Sequence, residues 1–247
     1  LLQRIRQEIA FRRADLTQLD AQLQREGLLE TPAKPRALPG AFVGFGRREC
    51  NMIFDWILRG GTVIDGSGKE GFLADVGILD GKIAAVGDLS GAQAKSTLDV
   101  TGRLVTPGFI DIHRHADAAL FREGFGDAEL FQGLTTIVNG NCGLSIAPSG
   151  GAFQTDIFDY LTSVTGRPEE QMRTESMGSY LQAVKEQKLA VNIGMLTGGG
   201  TMRAQAAGFG VQRLDDVHYR RIHAAIEQAL ADGALGVSLG LGYAPEC

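Results

Sequence analysis

An α/β fold is what this 247-residue sequence predicts, and three observations carry the prediction. Beyond residue 106, apolar strand-like runs alternate with helical stretches, the pattern of a parallel sheet with right-handed crossovers. Residues 52–105 hold short β-rich runs separated by glycine turns, the pattern of a small antiparallel unit. Glycine is abundant, 34 of 247, about twice its average usage. It follows no Gly-X-Y period, so it marks tight turns between many short elements.

In chain order, residues 1–30 read as a helix. Leu2, Ile5, Ile9, Leu16, Leu19 and Leu23 fall at spacings of three, four and seven, with Arg12 breaking one position of the stripe. Three heptads are short for a stable coiled coil, so the segment reads as a solvated or partner-seeking helix. Pro32, Pro35 and Pro39 end it and make a linker. Charge changes at the same place: residues 1–50 carry nine Lys+Arg against six Asp+Glu, the remainder 15 against 23. Leu1 stands where a start methionine is expected, and no closing helix follows the last apolar run, so both ends read as cut. Met52 offers a second start. Residues 1–51 then reflect either a misplaced start or a helical extension for oligomerisation.

From Met52 the strand signals begin. Residues 53–58 are β-rich, Arg59-Gly60-Gly61 is expected to turn the chain into 62–65, and Gly66-Ser67-Gly68 to turn it again. Asp80-Gly81 lies between the runs 75–79 and 82–86, a hairpin signal, because both central residues of a type I′ turn need positive φ. Runs at 98–100 and 102–105 continue the β unit. Further strands are predicted at 109–112, 135–139, 191–196 and 235–239, with helices near 127–132, 176–187 and 215–232. The last helix has Val217, Ile222, Ala225, Ile226 and Leu230 on one face.

Composition excludes several functions. With 44% hydrophobic and 21% charged residues the chain is neither disordered nor fibrous. Three cysteines are too few for a disulfide scaffold. A net charge of −5 argues against nucleic acid as partner. No apolar stretch approaches the ~20 residues of a membrane helix, and no secretory signal precedes either start, so a cytoplasmic location is expected.

Chemistry concentrates at strand ends. On a strand, residues i and i+2 point to one side, so Asp111, His113 and His115 are expected to project together from the end of 109–112. That end is where parallel α/β proteins bind ligands, and two imidazoles there can grip a divalent metal. Cys142, in Asn139-Gly140-Asn141-Cys142-Gly143, sits just past the next strand. A free cysteine is ordinarily a buried small hydrophobe. The flanking glycines and asparagines make a loop instead, which favours a thiolate ligand. Cys50 and Cys247 carry no such context. His218 and His223 are five apart on a helix and share no face. Gly198-Gly199-Gly200 lacks phosphate-loop spacing and reads as a loop allowing close backbone approach, with Arg203 in a structural ion pair.

Several segments in order resemble the N-acyl-D-amino-acid deacylases, or D-aminoacylases, of the amidohydrolase superfamily. They are Phe54-Asp55-Trp56-Ile57-Leu58-Arg59-Gly60-Gly61, Pro107-Gly108-Phe109-Ile110-Asp111-Ile112-His113-Arg114-His115, Gly133-Leu134-Thr135-Thr136, Asn139-Gly140-Asn141-Cys142-Gly143 and Gly233-Ala234-Leu235-Gly236-Val237-Ser238. The resemblance spans 52–247. His-x-His is shared across the superfamily; Asn-Cys-Gly after the second strand is far more specific to the deacylases.

The resemblance implies the first half, four β/α units over 106–247, of a (β/α)8 TIM-type barrel. Part of a small β-sandwich over 52–105 precedes it. It implies zinc, Zn(2+), held by His113, His115 and Cys142. The implied reaction is hydrolysis of the amide of an N-acyl-D-amino acid to a carboxylate and a free D-amino acid. The resemblance places two further zinc histidines on strands five and six and a general-base Asp on strand eight. All of these lie past Cys247, so the chain as it stands is expected to be inactive. Hydantoinases and dihydroorotases use a carboxylated lysine on strand four; 235–239 has no lysine, which favours the cysteine-type site. Gly199 departs from a family segment that often carries His there. Tyr243, at the tip of strand four, is the one candidate for the substrate-pocket wall. Two other readings compete: a cyclic amidase or deaminase of the same superfamily, and a non-catalytic half-barrel that binds partners through its N-terminal helix.

Overall fold

The structure, a computed structural model, describes residues 53–246. The helix and linker expected over 1–51, together with Cys50 and Cys247, lie outside the described residues. The chain divides into two compact units at Val105/Thr106.

The first unit is a five-stranded sheet of β1 (Ile53–Val63), β2 (Phe72–Leu79), β3 (Lys82–Gly87), β4 (Gln93–Asp99) and β5 (Leu104–Val105). Its order is β3-β2-β1-β4, with β5 also on β1. The β2–β3 hairpin turns at Asp80 and Gly81, at φ of 51° and 70°, as both type I′ positions require. Two expectations need correction. The unit is mixed, not antiparallel, because β4 and β5 pair with β1 in parallel. Since β3 and β4 both run with β1, residues 88–92 must return across the sheet. Leu89 makes that return in the core, packed with Phe54, Ile57 and Ala85.

Nor does Arg59-Gly60-Gly61 turn the chain. β1 runs straight through it, with a shift in its register against β2 between Leu58 and Gly61. Gly60 sits at φ 72°, a conformation glycine adopts without steric cost, and so lets one strand carry a bulge. The Asp75 carboxylate fixes the bulge, accepting from the Gly60 N–H at 2.9 Å and from Arg59 Nη1 at 3.1 Å. The same guanidinium donates to the carbonyls of Leu89 and Ala92, tying the bulge to the return segment.

In the second unit the parallel sheet appears as expected. β6 (Phe109–Asp111), β7 (Leu134–Asn139) and β8 (Asn192–Met195) lie side by side in parallel. The chain runs on through Leu196 into β9 (Thr197–Gly198), which pairs in parallel with β10 (Val237–Ser238). Four strand positions therefore follow one another in sequence order. The helices between them are α1 (Asp127–Phe131), α2 (Gln154–Thr165), α3 (Met177–Glu186), α4 (Gly199–Ala207) and α5 (Asp216–Ala231).

Helices α1, α3 and α5 stand where periodicity put them. Ser176 and Asp215 cap α3 and α5 through their side-chain oxygens, each satisfying amides left free by the first turn. Helix α2 buries Ile157, Leu161 and Thr165, one per turn on one face. Helix α4 replaces the loop expected at the glycine run. Its first turn packs so closely on the chain at Gly143 that a Cβ on Gly200 would lie 2.9 Å from the Gly143 carbonyl oxygen. Thr201 N–H donates to that oxygen at 3.1 Å. Among the described residues Arg203 has no ion pair, contrary to expectation; it donates to the carbonyls of Pro245, Val211 and Gln212. Leu120, Ile137, Ile146, Tyr180 and Met195 are fully buried members of the core beneath the strand ends.

Candidate metal centre

His113 and His115 follow the end of β6, and Cys142 lies three residues past the end of β7. One donor atom from each lies within 4.8 Å of the others. His113 Nε2 is 3.2 Å from Cys142 Sγ, and the two imidazoles meet edge to face with centroids 5.5 Å apart. Tetrahedral zinc with bonds of about 2.0–2.1 Å to nitrogen and 2.3 Å to sulfur places such donors about 3.5 Å apart. The side chains already approach that spacing, and the two-nitrogen, one-sulfur donor set suits zinc. His115 Nδ1 is buried with no hydrogen-bond partner. Burial, and secondarily the neighbouring His113, lowers the pKa of His115. The shift favours the neutral ring, the form with a lone pair to donate.

Asp111 does not join the cluster as the alternation of the strand suggested. The strand ends at Asp111, and its carboxylate accepts the His113 N–H at 3.0 Å while lying 3.6 Å from Arg114. Arg114 pairs more closely with the buried Glu129, at 2.6 Å. This residue is thus a brace for the histidine segment. His218 Nδ1 lies 2.8 Å from the carboxylate of Asp215, the N-cap of α5, and His223 faces Glu227 at 3.5 Å; neither belongs to the cluster.

Cys142 is held by an unusual backbone. Its φ is 57°, flanked by Gly140 and Gly143 at 75° and 72°. A left-handed conformation costs a non-glycine residue about 1–2 kcal/mol, and it persists where surrounding bonds impose it. Those bonds are visible. Ser238 on β10 accepts from the Gly143 N–H at 2.9 Å and donates to the Gly140 carbonyl at 2.5 Å. Asn141 donates to the carbonyls of Val138 and Arg114. Asn139, with no exposed surface, accepts the Ala116 N–H at 2.9 Å.

Tyr243 lies in the turn after β10 and is half exposed. A Cβ on Gly240 would meet its ring at 2.8 Å and would overlap the Cys142 carbonyl oxygen, so the Tyr243 ring stands beside the cysteine loop. Residues that sequence reasoning passed over are Asp117, Asn139 and Ser238, all buried. Asn139 and Ser238 end apolar strands, and a polar residue in that position was the available signal. Burial pushes the Asp117 carboxyl up to about 7, with the backbone amides of Ile146 and Gly140 pulling the other way.

Several known proteins are similar to this chain. Residues 96–240 match the model of the amidohydrolase family. The D-aminoacylase of Alcaligenes xylosoxydans xylosoxydans is 39% identical over 192 residues, which cover 78% of this chain and 39% of that protein. The N-acyl-D-aspartate deacylase of the same organism is 34% identical over 77% of this chain and 37% of its own length. Among solved structures, the N-acyl-D-glutamate deacylase of Bordetella bronchiseptica was crystallised with zinc and a phosphonate inhibitor. It superposes with a TM-score of 0.70 at 31% identity, over 79% of this chain and 40% of its own. A D-aminoacylase crystal structure gives a TM-score of 0.68 at 39% identity, over 78% and 40%. The chain thus spans about two fifths of the length of the relatives it matches. No described helix is long and apolar enough to cross a membrane. The chain belongs to the amidohydrolase family, and its likeness within that family is to the D-aminoacylases.

Proposed function

We propose that this chain supplies three zinc ligands, His113, His115 and Cys142, to a metal-dependent hydrolase that cleaves the amide bond of N-acyl-D-amino acids. The observation that carries the reading is the convergence of these three donors within 4.8 Å at the ends of adjacent parallel strands. Ligands bind at that edge of parallel α/β folds. In this reading residues 106–246 are four β/α units of a (β/α)8 barrel, and residues 53–105 are part of a small β-sandwich. The names of the deacylase relatives support a D-configured, N-acylated substrate.

Zinc bound there supplies Lewis acidity toward an amide carbonyl and activates water near neutral pH. The chain's own groups prepare that chemistry. Burial favours the neutral, lone-pair-bearing form of His115. The left-handed backbone at Cys142 aims its sulfur at His113. Asp111 and Glu129 hold Arg114, and with it the segment between the two histidines. Tyr243 stands beside the cysteine loop as a wall for substrate.

The test is the zinc content of the purified chain beside that of Cys142→Ala and His113→Ala, read by mass spectrometry after dialysis. The parent should retain zinc and both variants should lose most of it. Equal zinc in all three overturns the ligand assignment. Release of free amino acid from N-acetyl-D- but not N-acetyl-L-substrates, by the polypeptide that contains these residues, tests the substrate class.

A further inference from the structure

Asp117 lies two residues past His115 and is completely buried, yet it is no part of the donor cluster. One carboxyl oxygen accepts the Ile146 N–H at 3.3 Å. Ile146 lies four residues past Cys142. The main-chain carbonyl of Asp117 is occupied separately, by the Tyr180 hydroxyl at 2.8 Å. A second crossing runs the other way, since Asn139 beside the cysteine loop accepts the Ala116 N–H. Two buried polar side chains therefore stitch the histidine segment to the cysteine loop from opposite sides.

An apolar side chain of similar size would fill the Asp117 site more cheaply, because burying a carboxyl without full compensation is costly. Its second oxygen has no hydrogen bond within ordinary geometry. Packing alone does not explain the residue. What the carboxyl does provide is an acceptor for the Ile146 amide beyond Cys142. That amide belongs to a stretch with too little regular structure to satisfy it otherwise.

We propose that Asp117 is a positioning residue that sets the separation between His115 and the Cys142 sulfur by anchoring the far end of the cysteine loop at Ile146. This rests on the zinc reading above. Asp117 touches neither metal nor substrate; it acts through the backbone. Groups that orient metal ligands from outside the coordination sphere typically change metal affinity about 10–100-fold.

The experiment uses cobalt(II) as probe in the full chain, because sulfur bound to cobalt gives a thiolate charge-transfer absorption in the near ultraviolet. Parent, Asp117→Ala, Asp117→Asn, Tyr180→Phe and Cys142→Ala are titrated with cobalt, and their melting temperatures are recorded. Asp117→Ala should bind cobalt on the order of tenfold more weakly, with a weakened or shifted thiolate band even at saturation. Asp117→Asn keeps one acceptor and should fall between parent and Asp117→Ala. Tyr180→Phe loses the bond to the Asp117 carbonyl without touching the carboxyl. It should lower the melting temperature while leaving the band in place. Should Asp117→Ala not fold, the comparison of Asp117→Asn with Tyr180→Phe decides. Asp117 variants with the parent's affinity and band overturn the positioning role. A parent without a thiolate band, or a band that survives Cys142→Ala, instead overturns the zinc reading beneath it.

Discussion

Replacing Gly140 with alanine strikes the cysteine loop at its most constrained point. Gly140 has φ 75°, which costs an L-residue about 1–2 kcal/mol. The new Cβ would overlap the Leu196 carbonyl oxygen and lie 3.0 Å from its carbon and 3.3 Å from its nitrogen. Leu196 cannot yield freely, because its N–H donates to Asn139 at 2.9 Å and it joins β8 to β9. Overpacking of this kind costs about 1–3 kcal/mol. The two effects together come to about 2–5 kcal/mol, set against a total stability of about 5–15 kcal/mol for an ordinary domain. Urea unfolding followed by far-ultraviolet circular dichroism measures it, since the helices among the described residues all lie in the second unit. With a slope of about 1–3 kcal/mol per molar urea, the midpoint should fall by about 1 M or more. Gly210→Ala is the control: its Cβ meets nothing within 4 Å and its φ is not in the left-handed range, so it should change stability by less than about 0.5 kcal/mol. If Gly140→Ala unfolds at the same urea concentration as Gly210→Ala, the close approach of Gly140 to Leu196 is wrong.

Three further outcomes follow from particular bonds. Arg59→Ala removes the clamp between the β1 bulge, Asp75 and the 88–92 return and should cost about 1–3 kcal/mol, read from the urea transition of Trp56, the single tryptophan of the chain. Thr201→Val deletes a buried hydroxyl that bridges the Ser145 N–H and carbonyl at 3.1 and 2.9 Å; a loss of about 1–3 kcal/mol is expected in urea unfolding followed by circular dichroism, with Thr201→Ser restoring most of it. Asp215 caps α5, and the His218 backbone N–H leads in holding its carboxyl below the ordinary 3.8. A depressed acid stabilises the folded state above its unfolded pKa and loses that effect as pH falls through the folded value. Asp215→Ala should therefore melt earlier than the parent at pH 7, and the gap should close as pH drops below about 4; a gap that widens in acid would contradict the cap.

The convergence of the three donor side chains was legible because its signals are local. The His-x-His spacing, the apolar run before it and a cysteine among glycines and asparagines are all short-range features, and the structure brings His113, His115 and Cys142 together. The four parallel strand positions and helices α1, α3 and α5 were legible for the same reason, through apolar periodicity. What escaped has physical causes. Helix α2 is rich in β-branched and aromatic residues, such as Thr155, Ile157, Phe158 and Val164, whose weak helix propensity is overridden by burial of one face. Helix α4 opens on glycines that look like a loop, yet they are there because only glycine lets its first turn lie on Gly143. Strand β4 begins Gln93-Ala94-Lys95-Ser96 and has no apolar run. The parallel pairing of β4 follows from a return across the sheet, which strand patterns cannot show. Asp117, Asn139, Ser145 and Ser238 work through partners 23 to 98 residues away, and no local pattern announces such a bond.

The hydroxyl of Ser238 has a consequence for the order of events during synthesis. It is the clasp on both sides of Cys142, and it is reached 98 residues after Gly140 has been made. Chains are made at about 5–20 residues per second, so the cysteine loop waits several seconds without its clasp. Closing so long a loop has an entropic cost that local contacts do not carry. The nascent chain therefore holds two histidines and an unrestrained thiol until β10 docks beside β9, and the three-donor cluster is clasped only then.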